Sequence, residues 1–212
     1  MDDAPQQPPQ CADDLNEWTR VLAVDPGHSA RYAERFRRMA REGQDLDGEA
    51  RLMDTLAPRN ARILDAGCGP GRVAGRLHTL GHHAIGVDLD PALIAAAKVD
   101  HPGPRYLVGD LAELDLPARG ISSPMDLIVC AGNVMTFLAP STRVEVLRRL
   151  AQHLDLQGRA AIGFGAGRGY EFGAFRADAA SAGFVEELLL STWDLRPFTA
   201  HSDFLVAVLR RG

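Results

Sequence analysis

The sequence predicts an α/β fold built on a single doubly wound, mostly parallel sheet of seven strands. From residue 62 onward, short apolar runs alternate with segments of helical periodicity, an arrangement typical of a parallel sheet covered on both faces. The last two apolar segments, 185–193 and 203–210, have no helix between them. They should form a hairpin, so one strand should run antiparallel to the others.

The pattern divides the chain into a helical lid and one core domain. Five parallel strands are predicted over residues 62–66, 83–88, 105–108, 126–131 and 159–164, with helices over 71–80, 91–99, 140–154 and 173–182. Two amphipathic helices, 29–42 and 47–57, precede the first strand. We therefore expect a lid over residues 14–58 and a core over 59–212. Residues 1–13, rich in proline and glutamine, should be a disordered tail.

Composition limits the classes of partner. The 212 residues suit one domain, and the formal net charge of -5 argues against a nucleic-acid partner, which requires clustered lysine and arginine. No run approaches the ~18 apolar residues of a membrane span, and the first residues lack the features of a signal peptide. Cys11, Cys68 and Cys130 are widely spaced, which predicts free thiols, no metal site and a cytoplasmic protein. The oligomeric state stays open.

A glycine-rich loop joins the first strand directly to a helix. Residues 65–71 read DAGCGPG, and their glycines permit a tight turn and a close approach to a ligand, at which the helix N–H groups would point. A dinucleotide fingerprint would need a small residue at position 72, where the chain has Arg72. The Gly-Lys-Ser/Thr ending of a phosphate loop is also absent. The loop therefore favours a ligand of another class.

Three aspartates follow strand ends. Asp88 ends the second strand, 17 residues after Gly71, where a carboxylate can accept hydrogen bonds from ribose hydroxyls. Asp90 precedes Pro91, which predicts a helix cap. Asp110 follows the third strand, either as a ligand contact or as a turn residue.

The D-x-G-x-G-x-G pattern and the downstream acids resemble the class I S-adenosylmethionine-dependent methyltransferases, in register from about residue 62 to residue 164. The resemblance implies a Rossmann-like fold with S-adenosylmethionine as cofactor. It places Asp65 near the methionine portion, Asp88 at the ribose, and Leu89, Asp110 and Leu111 at the adenine. Asp65 could instead order the glycine loop. The cofactor-binding residues predicted in this way are Asp65, Gly67, Cys68, Gly69, Gly71, Asp88, Leu89, Asp110, Leu111, Ala131 and Gly132.

By the same resemblance, the acceptor should bind near the end of the fourth strand. Asn133 follows that strand without the Pro-Pro-aromatic sequence of many nucleic-acid base methyltransferases, which favours a small-molecule acceptor. The pocket candidates are Tyr32, Asn133, Tyr170, Glu171 and His201. Tyr32 could instead be core, Asn133 a turn cap and His201 a solvated loop residue. Met135 and Phe137 are expected in the core.

The sequence thus predicts a methyltransferase acting on an unidentified acceptor. A nicotinamide-dependent oxidoreductase is one alternative, although Arg72 and the lack of a Tyr-x-x-x-Lys pair count against it. A non-catalytic protein that binds S-adenosylmethionine is the other. Methyl transfer depends mainly on positioning and desolvation, so the motifs do not identify the acceptor atom or a general base.

Overall fold

A seven-stranded sheet runs through the whole molecule. The computed structural model describes residues 14–121 and 124–212, so the predicted tail 1–13, with Cys11, lies outside the described residues. The strands are β1 (Arg62–Ala66), β2 (His83–Asp88), β3 (Arg105–Val108), β4 (Met125–Cys130), β5 (Leu154–Gly165), β6 (Phe184–Leu190) and β7 (Phe204–Arg211). Their order is β3-β2-β1-β4-β5-β7-β6. Only β7 runs antiparallel to its neighbours, which confirms the predicted fold class.

Helices cover both faces of this sheet. They are α1 (Glu17–Val24), α2 (His28–Arg41), α3 (Gly48–Leu56), α4 (Arg72–Thr79), α5 (Pro91–Asp100), α6 (Val134–Phe137), α7 (Arg143–His153) and α8 (Phe172–Ser181). The predicted helix 140–154 is shorter than expected. A 3-10 turn occupies Pro140–Thr142, and Leu154 already pairs with Met125 in the sheet, so β5 begins five residues before its predicted start.

Two apolar layers enclose the central strands. Leu64, Ile128 and Ile162 point into one layer, with α7 and α8, while their neighbours along the strands point into the other, with α3 and α4. All three are fully buried. Burial on both faces is what near-continuous apolar strands predict, because side chains alternate between the faces.

The three helices before β1 pack against different parts of the molecule. Ala50 and Met53 of α3 are buried beside Ile63 of β1, so α3 belongs to the layer that covers the sheet. The predicted lid boundary at residue 58 is therefore too late. Helices α1 and α2 contact α5 and α6 instead, at the carboxyl ends of the parallel strands.

Asp90 joins this helical cover to the core. Its Oδ1 accepts hydrogen bonds from the backbone N–H groups of Ala92 (2.8 Å) and Leu93 (3.4 Å), which confirms the predicted cap of α5. Its Oδ2 accepts the indole N–H of Trp18 at 2.9 Å and the hydroxyl of Ser29. Burial opposes ionisation of Asp90, but these hydrogen bonds outweigh it and lower the carboxyl pKa.

Two kinds of feature are absent from the described residues. No helix there combines the length and the apolar character needed to cross a bilayer. No group of three or more histidine, cysteine or acidic side chains in residues 14–121 and 124–212 is arranged to hold a metal ion.

Asp90→Ala should destabilise the protein by about 2–4 kcal/mol. The loss combines a helix cap, worth about 1 kcal/mol, with a buried indole donor left unpaired, at about 1–3 kcal/mol. Urea unfolding followed by circular dichroism measures it. Asp115→Ala is the control, because Asp115 caps only an exposed turn; it should cost under about 0.5 kcal/mol. Equal unfolding midpoints for the two variants would show that the Asp90 contacts contribute no net stability.

Candidate functional site

A cleft opens at the carboxyl ends of β1, β2, β3 and β4, beneath α1, α2 and α6. The space inside it, including the open mouth, is about 860 Å³. It is lined by Asn16, Trp18, Tyr32, Phe36, Asp65, Gly67, Cys68, Gly69, Pro70, Arg72, Val73, Asp88, Leu89, Leu93, Gly109, Asp110, Leu111, Ala131, Gly132, Val134, Phe137 and Leu138. Ten of the eleven predicted cofactor-binding residues are in this lining; Gly71 is not.

The glycine loop is fixed to the end of β2 by backbone hydrogen bonds. The N–H groups of Gly67 and Cys68 both donate to the Val87 carbonyl, at 2.8 and 3.0 Å. Gly67 has a φ of 78°, and a Cβ there would lie 2.3 Å from Cγ2 of Val134. Only glycine therefore allows α6 to approach the loop this closely.

Gly71 forms the turn into α4 and does not line the cleft. It has a φ of 85° and precedes the first residue of α4. A Cβ at this position would lie 2.7 Å from the Cβ of Ala97 and 2.8 Å from the Tyr106 hydroxyl oxygen. Gly71 thus packs against α5 and β3, and its contact with a ligand stays a prediction.

Asp88 holds the loop from the opposite side. Its Oδ2 accepts the N–H of Gly69 at 2.8 Å, and its Oδ1 accepts the N–H of Asp90 at 2.9 Å. Burial raises the pKa of the Asp88 carboxyl, although both hydrogen bonds favour the anion. The carboxylate is thus fixed at the floor of the cleft, with lone pairs left for further donors.

Asp65 both lines the cleft and orders the helix behind it. Its Oδ2 accepts the N–H of Ala74 in the first turn of α4, at 3.0 Å. The carboxylate therefore orders the start of α4 and not the glycine loop as predicted, and its contact with a ligand stays a prediction. The side chain is 2% exposed, and this burial raises its pKa to about 7. A ligand cation beside Asp65 would favour the ionised form.

The end of the cleft at β3 is apolar with one exposed acid. Leu93 and Leu111 are buried there, and Leu89 is half-buried. Asp110 is exposed, and its Oδ1 accepts the N–H of Ala112 at 2.8 Å. Asp110 therefore caps this turn, as one of its two predictions had it, and it also lines the cleft.

Four aromatic rings, Trp18, Tyr32, Phe36 and Phe137, form the aromatic roof of the cleft. Trp18 packs edge-on against Tyr32 (5.2 Å between ring centroids) and Phe137 (5.7 Å), and Tyr32 packs against Phe36 at 5.1 Å. Tyr32 is therefore both a pocket residue and part of an apolar cluster, and burial raises the pKa of its phenol. Phe137 is expected in the core from the sequence, but it lines the cleft as part of this aromatic roof.

Asn133 lies beside the cleft, just after β4. It has a φ of 67°, which asparagine tolerates better than most residues, and its Oδ1 accepts the N–H of Gly165 at 2.9 Å. The side chain thus connects the ends of β4 and β5, whereas the predicted turn-capping bond to α6 does not form.

Like Asn133, three further acceptor candidates are absent from the lining of the cleft. Tyr170 is buried on the other face of the sheet, where it stacks on Phe164 and donates its hydroxyl hydrogen to Asp178 at 2.5 Å. Its prediction as a pocket residue is wrong because it completes an aromatic core cluster. Glu171 is exposed at the start of α8, and His201 is exposed in the turn before β7. Neither contributes to the lining.

Sequence reasoning missed two parts of the site. The first is α1, with Asn16 and Trp18, although Trp18 and Leu22 have helical spacing. The second is Arg72, whose guanidinium pairs with Glu49 of α3 and donates to the Leu46 carbonyl at 2.6 Å. An arginine is accommodated where a dinucleotide fold needs a small residue because its side chain extends along α3.

Comparisons with known proteins identify relatives of this chain. A family model described as a methyltransferase domain matches residues 63–158. A solved structure, a TehB-like SAM-dependent methyltransferase from Corynebacterium glutamicum ATCC 13032 Kitasato, is 50% identical with a TM-score of 0.83, covering 89% of this chain and 100% of that one.

Curated relatives match over shorter stretches. Malonyl-[acyl-carrier protein] O-methyltransferase of Pectobacterium atrosepticum is 32% identical over 97 residues, 46% of this chain and 37% of that protein. Magnesium-protoporphyrin O-methyltransferase of Rhodobacter capsulatus is 32% identical over 132 residues, 58% and 53% respectively. A tRNA 5-carboxymethoxyuridine methyltransferase of Escherichia coli K12 is 35% identical over 88 residues, 42% and 27%. The chain thus spans about half or less of these relatives.

Asp65→Asn should change how stability depends on pH. The folded protein holds the Asp65 proton up to about pH 7, whereas the unfolded chain releases it near pH 4, so wild-type stability should fall across that window and then level off. Asparagine has no such proton and can still accept from Ala74. In urea unfolding, the free energy of unfolding of the variant relative to that of the wild type should increase by about 4 kcal/mol between about pH 4 and pH 8. If the free energies of unfolding of the two proteins changed with pH in the same way, the raised pKa of Asp65 would be contradicted.

Proposed function

Because this chain belongs to the class I S-adenosylmethionine-dependent methyltransferases, we propose that the cleft binds S-adenosylmethionine and that the protein methylates a small-molecule acceptor. The observation that carries the proposal is the fixed Asp88 carboxylate at the end of β2, opposite the glycine loop. A nicotinamide cofactor is not favoured, because Arg72 and its pairing with Glu49 replace the third small residue of that fingerprint.

The adenosine would lie across β2 and β3. Asp88 would accept the ribose hydroxyls, since its carboxylate is already oriented by two backbone donors. The adenine would stack between apolar side chains, with Leu89 and Leu111 nearest the ring and Asp110 accepting its amino group. This assignment puts the apolar end of the cleft against the aromatic base.

The methionine portion would lie over β1 and the glycine loop. Its ammonium group would pair with Asp65, and ionisation of that carboxyl would then be favoured by a partner which the free protein lacks. The roof of Trp18 and Tyr32 would exclude water from the sulfonium. S-adenosylmethionine supplies an activated methyl group, so the protein's part is to orient the two reactants and to exclude water.

Several features support a small acceptor over a nucleic acid. The net charge is -5, and most arginines in the described part of the chain pair with acids, as Arg37 does with Asp100 and Arg72 with Glu49. The tRNA enzyme among the relatives makes an RNA acceptor the outcome that an acceptor screen should exclude. We also propose a cytoplasmic location, because Cys68 and Cys130 are buried free thiols.

Asp88→Ala should weaken S-adenosylmethionine binding by about ten- to a hundredfold. This corresponds to the loss of a charged hydrogen bond of about 1.5–3 kcal/mol. Isothermal titration calorimetry gives the affinities, and circular dichroism checks the fold. Asp115→Ala removes the same charge from an exposed turn and should leave the affinity unchanged. Unchanged affinity in a folded Asp88→Ala protein would refute the ribose assignment.

Cofactor affinity should rise with pH until Asp65 is ionised. Below about pH 7 the carboxyl is protonated in the free protein, so binding through its anion must first remove a proton. Wild-type affinity should therefore increase by up to about tenfold per pH unit from pH 5 to pH 7. Asp65→Asn should bind more weakly and lose this slope, whereas a slope retained in the variant would assign it to another group.

A further inference from the structure

Two arginines beside the cleft lack a counter-charge. Among the described residues, most arginines form ion pairs, as Arg62 does with Asp126. The side chains of Arg35, Arg168 and Arg211 form neither an ion pair nor a hydrogen bond within residues 14–121 and 124–212, although the Arg211 carbonyl accepts from Arg210. Arg211 is the last residue of the antiparallel strand β7, so it lies at the opposite end of the parallel strands from the cleft. The other two are outside the lining but near it in the chain, since Arg35 is three residues after Tyr32 and Arg168 is three residues after the end of β5.

Arg168 lies above the ends of β4 and β5. Its Nε is 3.2 Å from the position that a Cβ of Gly165 would occupy, and Oδ1 of Asn133 is 3.7 Å from the same position. The absence of a side chain at Gly165 therefore leaves the space that the guanidinium approaches. Gly132, next to Asn133, lines the cleft, so Arg168 is near its β4 side.

Asn133 presents a second donor at the same place. Because its Oδ1 accepts the N–H of Gly165, its amide nitrogen must point the other way. No acceptor in the described part of the chain takes the two hydrogens on that nitrogen. Arg35 adds charge from the roof, since it lies one turn after Tyr32 and acts electrostatically on that phenol.

The β4 side of the cleft has no general base. The acids of the lining, Asp65, Asp88 and Asp110, lie at or just after the ends of β1, β2 and β3, where the proposed function uses them for the cofactor. None of the described lining residues is a histidine, and burial keeps the Tyr32 phenol protonated at neutral pH. An acceptor atom that must lose a proton would find no group to take it.

We propose that the acceptor is a carboxylic acid whose carboxylate is held by Arg168 and by the amide nitrogen of Asn133. The inference rests on the proposed function and names its substrate class. One carboxylate oxygen forms the bond to the methyl carbon while the carbon–sulfur bond breaks and its electron pair stays on sulfur. A methyl ester and a neutral thioether result, and no proton is transferred. Arg168 is thus a specificity-determining residue.

The test compares acids with their neutral amides. Protein saturated with S-adenosylhomocysteine is titrated at fixed ionic strength with acetate and acetamide, benzoate and benzamide, and phenylacetate and phenylacetamide. Wild type should bind at least one acid about ten- to a hundredfold more tightly than its amide, as a charged hydrogen-bonded pair predicts. Arg168→Gln should reduce that preference to about twofold or less.

Two further variants make the test specific. Arg211→Gln removes another exposed, uncompensated arginine, at the opposite end of the parallel strands, and should keep the full preference. Asn133→Asp can still accept from Gly165, but it replaces the donor with a negative charge and should abolish the preference. Thermal melting confirms that each variant is folded.

The outcomes separate the two proposals. Lack of preference for any acid in the wild type, or a preference unchanged in Arg168→Gln, with S-adenosylhomocysteine still bound, would overturn the carboxylate assignment alone. Failure of the wild type to bind S-adenosylhomocysteine would overturn the proposed function and this inference with it.

Discussion

The pair of hydrogen bonds that the Asp88 carboxylate accepts is the interaction on which the site depends. One comes from Gly69 in the loop after β1 and the other from Asp90 at the start of α5. Together they connect two neighbouring strand-to-helix junctions of the parallel sheet. A buried carboxylate is costly unless it is satisfied in this way, and the same bonds orient it toward the cleft.

The cover of the cleft depends on the neighbouring aspartate. Asp90 caps α5 and accepts hydrogen bonds from Trp18 and Ser29, so the aromatic roof is attached to the helix that follows β2. Residues 88–90 therefore connect the glycine loop, the floor of the cleft and the aromatic roof. A class I methyltransferase needs few reactive side chains, and this arrangement supplies position and exclusion of water instead.

Local sequence signals predicted most of the fold and part of the site. The alternation of strands and helices, the glycine loop and the Asp90-Pro91 cap depend on residues close in the chain, and the structure confirms them. The errors concern contacts between distant residues. Tyr170 joins a cluster on the far face of the sheet, and Trp18 reaches across 72 positions to Asp90. No periodicity in the sequence encodes such packing.

Calorimetric titration of the wild-type protein with S-adenosylmethionine, S-adenosylhomocysteine and NAD in parallel tests the central claim most directly. The account predicts binding of both adenosyl compounds with dissociation constants on the order of micromolar, about -8 kcal/mol, and no binding of NAD. Binding of NAD alone, or of none of the three, would contradict the assignment of the cleft.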